Sequence, residues 1–127
     1  MPDELIIRHC SPTLAGMKTG NIVSYEFGSF DELKTSIRRK NKALGPKGLR
    51  ILPLRYKNGR ALIYIYRPKK LKADFKSREA KELLFAHGYP CKSPEQCIVN
   101  LVKRLEECGD EFPHEIGLCI GYPPEDV

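Results

Sequence analysis

The sequence contains no tryptophan, two methionines, and no apolar run approaching the roughly 20 residues a membrane-spanning helix needs. Without indole rings, the bulk of any core falls to Leu, Ile, Phe and Tyr. There is no Cys-x-x-Cys pair, which excludes the usual zinc-ribbon and thioredoxin signatures. The five cysteines, Cys10, Cys91, Cys97, Cys108 and Cys119, are odd in number and widely spaced. No disulfide framework is expected from them, and most read as small buried hydrophobes. The opening Met1-Pro2-Asp3-Glu4 is acidic, whereas a secretion signal opens basic and turns apolar, so the expected compartment is the cytoplasm, with no membrane partner. A phosphate loop, a dinucleotide-binding glycine motif and an RNA-recognition signature are all missing. Gly16-Met17-Lys18-Thr19 lacks the earlier glycine that a phosphate loop requires. Nor is there an internal repeat, a low-complexity tract or a long linker, so residues 1–127 read as a single domain.

What is present is an uneven distribution of charge. The chain carries a net +6, but from Lys34 to Lys81 it holds 17 basic and 2 acidic residues, while the remainder is net −9. A basic middle between acidic ends suits a small anionic ligand, an acidic protein partner or nucleic acid, although solvated helix faces would give the same count.

Apolar residues make up 41% of the chain, enough for a continuous core. A short helix or turn is expected over residues 3–9 and a strand over 22–27, where the residues alternate and are β-rich. Ser29-Phe30-Asp31-Glu32 is a capping box that opens a helix ending at Gly45-Pro46. Strands over 49–56 and 60–66 flank Asn58-Gly59, the pair suited to a type I′ hairpin. A helix follows from about 69 to 87. Ser93-Pro94-Glu95-Gln96 opens another, whose apolar stripe is Cys97, Ile98, Leu101, Val102, Leu105 and Cys108. Residues 115–120 read as a last, central strand. The expected fold is α/β in the α+β sense: a mixed sheet of about four strands, including the hairpin, packed with three main helices.

Two segments stand outside this core patterning. The first is His9-Cys10-Ser11-Pro12-Thr13-Leu14-Ala15-Gly16-Met17-Lys18, with Asn21 after it. Ser11-Pro12 resembles an N-cap followed by proline at the first helical position, which would set Cys10 just before a helix N-terminus and lower its thiol pKa. Cys10 is then a candidate nucleophile with His9 or His114 as base. Alternatively, the unpaired N–H groups hold a phosphate or carboxylate, with Lys18 assisting and Thr13 and Asn21 nearby in sequence. The plainer alternative is a buried Cys10 beside a locally bonded His9. The second segment begins Phe112-Pro113-His114-Glu115 and ends Gly121-Tyr122-Pro123-Pro124-Glu125-Asp126-Val127. There His114 offers a base, Glu115 an orienting or acting carboxylate, and Tyr122 a ligand contact. His9, Cys10, His114 and Glu115 have donor types a metal accepts, but no diagnostic spacing, so no metal site is expected. Tyr64 and Tyr66 fall on one strand face beside Arg67, either as a stacking surface for a ring or as an aromatic ladder.

The opening motif, the central Tyr66-Arg67 and the closing motif together resemble an uncharacterised bacterial family, the domain of unknown function numbered 3793, over essentially the whole chain. The family brings no established activity, cofactor or catalytic residue. The resemblance implies that the two end segments act together. It also implies that longer members continue past the Pro-Pro-Glu-Asp-Val segment with a further C-terminal element.

Two functions follow as expectations. One is a ligand-binding or thiol- and imidazole-dependent catalytic site built from His9, Cys10, His114 and Glu115, with Thr13, Lys18, Asn21, Tyr66, Arg67 and Tyr122 as binding residues. The other is a non-catalytic binding protein that takes an anionic ligand, nucleic acid or acidic partner through the basic middle.

Overall fold

A computed structural model describes residues 2–76 and 94–107. Along the chain run α1 (Asp3–Leu14), β1 (Gly20–Glu26), α2 (Phe30–Leu44), a 3-10 turn (Gly45–Lys47), β2 (Arg50–Lys57), β3 (Arg60–Tyr66), α3 (Pro68–Asp74) and α4 (Pro94–Glu107). The class is α+β. The three strands form one antiparallel sheet in the order β1-β3-β2. β1 and β2 run the same way, as a strand–helix–strand connection demands. The hairpin inserts β3 between them, so the expected mixed sheet gives way to an antiparallel one among the described residues. The fourth strand expected at 115–120 lies outside the described residues.

β3 occupies the centre because its sequence, Ala61-Leu62-Ile63-Tyr64-Ile65-Tyr66, is apolar on both faces. Ala61, Ile63 and Ile65 face one core, with Val23, Ile51, Ile6 and Cys10 of α1, and Leu33 and Ile37 of α2. Leu62, Tyr64 and Tyr66 face the other, with Leu54, Leu71 and Phe75, and with Cys97, Ile98, Leu101 and Leu105 of α4. The sheet is thus covered on both sides, and each fully buried Leu or Ile contributes about 1.5–3 kcal/mol. The stripe expected on α4 is the face it buries; Cys108 lies outside the described residues.

The hairpin turn forms as expected, with Asn58 at φ 53° and Gly59 at φ 75°. The Ser29 hydroxyl accepts from the Glu32 backbone at 3.3 Å and caps α2. Gly45 ends α2 as expected, in a right-handed conformation at φ −51°. The chain tightens into the 3-10 turn at Pro46, and Gly48, at φ +83°, makes the reversal. Within β2, Pro53 opposes Ile63 while Arg55 opposes Leu62, so the ladder bulges at Leu54. Asn41 of α2 grips the Ile51 main chain, donating to its carbonyl at 2.9 Å and accepting from its N–H at 2.7 Å.

Two helices differ from expectation. The short element over residues 3–9 continues to Leu14, through Pro12. Cys10 leaves helical geometry at φ −121°, ψ 15°, and this kink relieves the clash that the Pro12 ring would make in a straight helix. The helix expected from about 69 to 87 stops at Asp74 and turns at residues 75–76, where Phe75 enters the core. The remainder of that range lies outside the described residues.

Candidate functional site

The opening motif folds as the end of α1. Ser11 does not cap a new helix; its hydroxyl donates backwards to the Ile7 carbonyl, an acceptor one turn earlier that the continuous helix supplies. Gly16, at φ +78°, closes α1. The Met17 N–H donates to Pro12 at 2.8 Å and the Gly16 N–H to Thr13 at 3.1 Å, the paired bonds of a Schellman end.

Cys10 therefore sits at a kink within a helix. It is 0% exposed, and burial pushes its thiol up to about 11, against a weaker opposing pull from Lys18. The lowered pKa expected of a helix N-terminus is overturned, because the site is desolvated. At neutral pH roughly one such thiol in ten thousand is ionised. His9 is exposed and lines a cleft of about 530 Å³ with Pro2, Glu4, Leu5, Ile7 and Arg8. Its carbonyl accepts from the Asn21 amide at 2.7 Å, which ties α1 to β1. Thr13 is fully buried, and its hydroxyl has no hydrogen-bond partner among the described residues. Lys18 is half-buried. His114, Glu115 and Tyr122 lie outside the described residues.

The two central residues take different places from those a stacking surface requires. Tyr66 is buried against Tyr64, their rings stacked 4.3 Å apart and 4° from parallel. The period-two alternation is as expected, but α3 and α4 cover that face, so neither ring is offered to an outside ligand. Arg67 is a strap. Its Nε donates to the Thr13 carbonyl at 2.8 Å, Nη2 to Leu14 at 2.7 Å and Nη1 to Lys47 at 3.2 Å, while its N–H donates to Thr19 at 2.9 Å. One residue thereby joins the end of α1 and the 3-10 turn through its side chain and the entry to β1 through its main chain. The Thr19 hydroxyl extends the tie by donating to the Asp74 carboxylate at the end of α3.

Around this strap lies an open cleft of about 740 Å³, lined by the turn from Gly45 to Arg50, by Arg67, Pro68 and Lys69, and by Asn41. Among the described residues its lining contains four cationic side chains, Lys47, Arg50, Arg67 and Lys69, and no acidic one. Lys47, Arg50 and Lys69 have no acidic partner among the described residues. Sequence reasoning did not locate this cleft, although its two halves are legible as the proline-bearing basic turns Gly45-Pro46-Lys47-Gly48 and Arg67-Pro68-Lys69. They meet because the hairpin register sets Arg50 opposite Tyr66. Among the described residues there is no group of three or more His, Cys, Asp or Glu able to hold a metal ion, and no helix long and apolar enough to cross a membrane.

These features define an α+β protein with a cationic cleft and a buried thiol. Residues 6–127 match the family model described as Protein of unknown function (DUF3793), and the chain belongs to that family. No curated protein and no solved structure matches the chain.

Proposed function

We propose that this protein binds a phosphate- or carboxylate-bearing ligand in the cleft around Arg67, without thiol catalysis. The observation that carries this reading is the lining: four cations and, among the described residues, no acid in one concave space. Like charges held together repel, and an anion that enters the cleft offsets that repulsion. Arg67 is already committed to three carbonyls, so it acts as the floor, and Lys47, Arg50 and Lys69 supply the mobile contacts. The reading takes the chain as one cytoplasmic domain; the free, buried thiol of Cys10 is in keeping with a reducing compartment.

The test is thermal unfolding with inorganic phosphate added at constant ionic strength, with chloride as the control. A ligand that binds only the folded state raises the midpoint in a saturable way. The rise is expected in the natural protein and is expected to be lost in a Lys47→Ala, Lys69→Ala double variant. Equal midpoints in phosphate and chloride would refute the proposal.

A second reading attaches to the terminal motifs, with His9, Cys10, His114 and Glu115 as one site. What favours it is the Thr13 hydroxyl, buried without a partner among the described residues, in the same helix as His9 and Cys10. A thiol probe at neutral pH decides it. Labelling of Cys10 ahead of the other four cysteines supports a working thiol, and protection of Cys10 until unfolding removes it.

A further inference from the structure

The cleft opens at the C-terminal end of α2, and the same helix carries Lys34, Arg38 and Lys42 at successive four-residue steps, all exposed. Residues at this spacing lie above one another on one face. Asn41 and Gly45, which line the cleft, flank that face on the helical wheel, so the row of cations leads into the cleft. From Lys34 to Lys47 the distance is about 20 Å at helical rise. The carboxylates of the first turn, Asp31 and Glu32, line a separate hollow with Thr35, Ser36 and Arg39. Lys34, Arg38 and Lys42, like the cleft cations, have no acidic partner among the described residues.

Aromatic rings close the far end of the row. The Lys34 ammonium stands 4.5 Å over the Phe30 ring. Phe30 meets Tyr56 edge-on with centroids 4.7 Å apart, and the two residues are 40% and 38% exposed. Unlike Tyr64 and Tyr66, these rings reach water.

A lone phosphate in the cleft touches one end of this array and leaves the row of α2 untouched. An anion whose charges repeat along a line engages both. We propose that the cleft and the α2 row together bind the backbone of a single-stranded nucleic acid, with an unpaired base reaching the Phe30–Tyr56 rings. The proposal rests on the anion-binding reading of the cleft and extends it. Lys34, Arg38 and Lys42 contact phosphates along the helix, Lys47, Arg50 and Lys69 grip the strand in the cleft, and the rings favour unpaired bases over a closed duplex.

The experiment is fluorescence anisotropy with a labelled single strand of about 12 nucleotides, the matching duplex as competitor, and salt varied from about 50 to 200 mM. Six phosphate contacts predict a loss of affinity of about 300-fold over that salt range for a single strand. An Arg38→Glu, Lys42→Glu variant, changed only at exposed positions, is expected to bind at least about tenfold more weakly yet keep the phosphate-induced rise in unfolding midpoint. Phe30→Leu is expected to lower the preference for single strand over duplex. Absence of binding at the lowest salt overturns the proposal, as does a duplex that competes equally well or a charge-reversed variant that binds normally. If the phosphate response persists in any of those cases, the cleft reading stands and only its extension falls; if the phosphate response is also missing, both fall.

Discussion

Arg67 reaches back 54 positions to the Thr13 carbonyl at 2.8 Å, and from the same guanidinium holds Leu14 at 2.7 Å. Both carbonyls belong to the last turn of α1, beyond the reach of its i to i+4 ladder; Thr13 also accepts from the Gly16 N–H at 3.1 Å. Replacing Arg67 with Met removes three hydrogen bonds, to Thr13, Leu14 and Lys47. The expected loss is about 2–4 kcal/mol in urea unfolding, with Arg67→Lys nearly as damaging because one ammonium does not fork. Unchanged stability in Arg67→Met would show that the strap is dispensable.

Cys10 gives stability a specific pH dependence. Burial holds its folded pKa at about 11, above the ordinary 9.0. The folded chain keeps the proton that the unfolded chain releases. The contribution is therefore whole below about pH 9 and disappears as pH climbs towards 11. Urea midpoints of the natural protein and Cys10→Ala, compared across this interval, are expected to converge as pH rises, since lysine and tyrosine titrations cancel in the difference. Parallel curves would contradict the assigned burial.

The turn at Asn58-Gly59 is predicted to be intolerant of branched side chains. Both residues have positive φ, so Gly59→Val should cost about 1–2 kcal/mol while Asn58→Gly stays within about 0.5 kcal/mol. Chemical denaturation of the two variants checks this, and a harmless Gly59→Val would argue for a different turn.

Asn41→Ala removes both bonds to Ile51. The expected cost is about 1–3 kcal/mol, and the Ile51 amide should exchange with deuterium faster than in the natural protein. Asn41→Asp keeps the acceptor for the Ile51 N–H and should protect that amide better than alanine does. Identical exchange rates in all three proteins would rule out the grip.

Features decided within a few residues were legible in the sequence. The Ser29 cap and the Asn58-Gly59 reversal needed only their neighbours, and the buried stripe of α4 needed only its own periodicity. The chain around Cys10 was not. Ser11-Pro12 carries the signature of a helix start, yet a kink lets the helix run through it, and whether a helix begins or bends there is decided by packing of Ile6 and Cys10 on the sheet. Strand order was not legible. Residues 61–66 are apolar on both faces and lie between β1 and β2, yet the central place was expected for residues 115–120, which lie outside the described residues, and pairing with β1 across the α2 connection is a long-range choice. The site was the least legible part. Arg67 looked like a ligand contact because a cation beside two tyrosines suggests a surface, and only the fold shows those rings covered and the guanidinium spent on main-chain oxygens. The cleft depends on two turns some twenty positions apart, joined by hairpin register, and no local motif announces it.

Among the described residues, the side of β2 away from β3 pairs with no strand. An open strand invites a second molecule to add its own backbone there, the first step of many aggregates. Here Ile51 has both its polar groups occupied by Asn41, Pro53 has no N–H to offer, and the bulge at Leu54 throws any incoming strand out of step. Three neighbouring residues thus deny a foreign chain a continuous template along the side of β2 that faces away from β3.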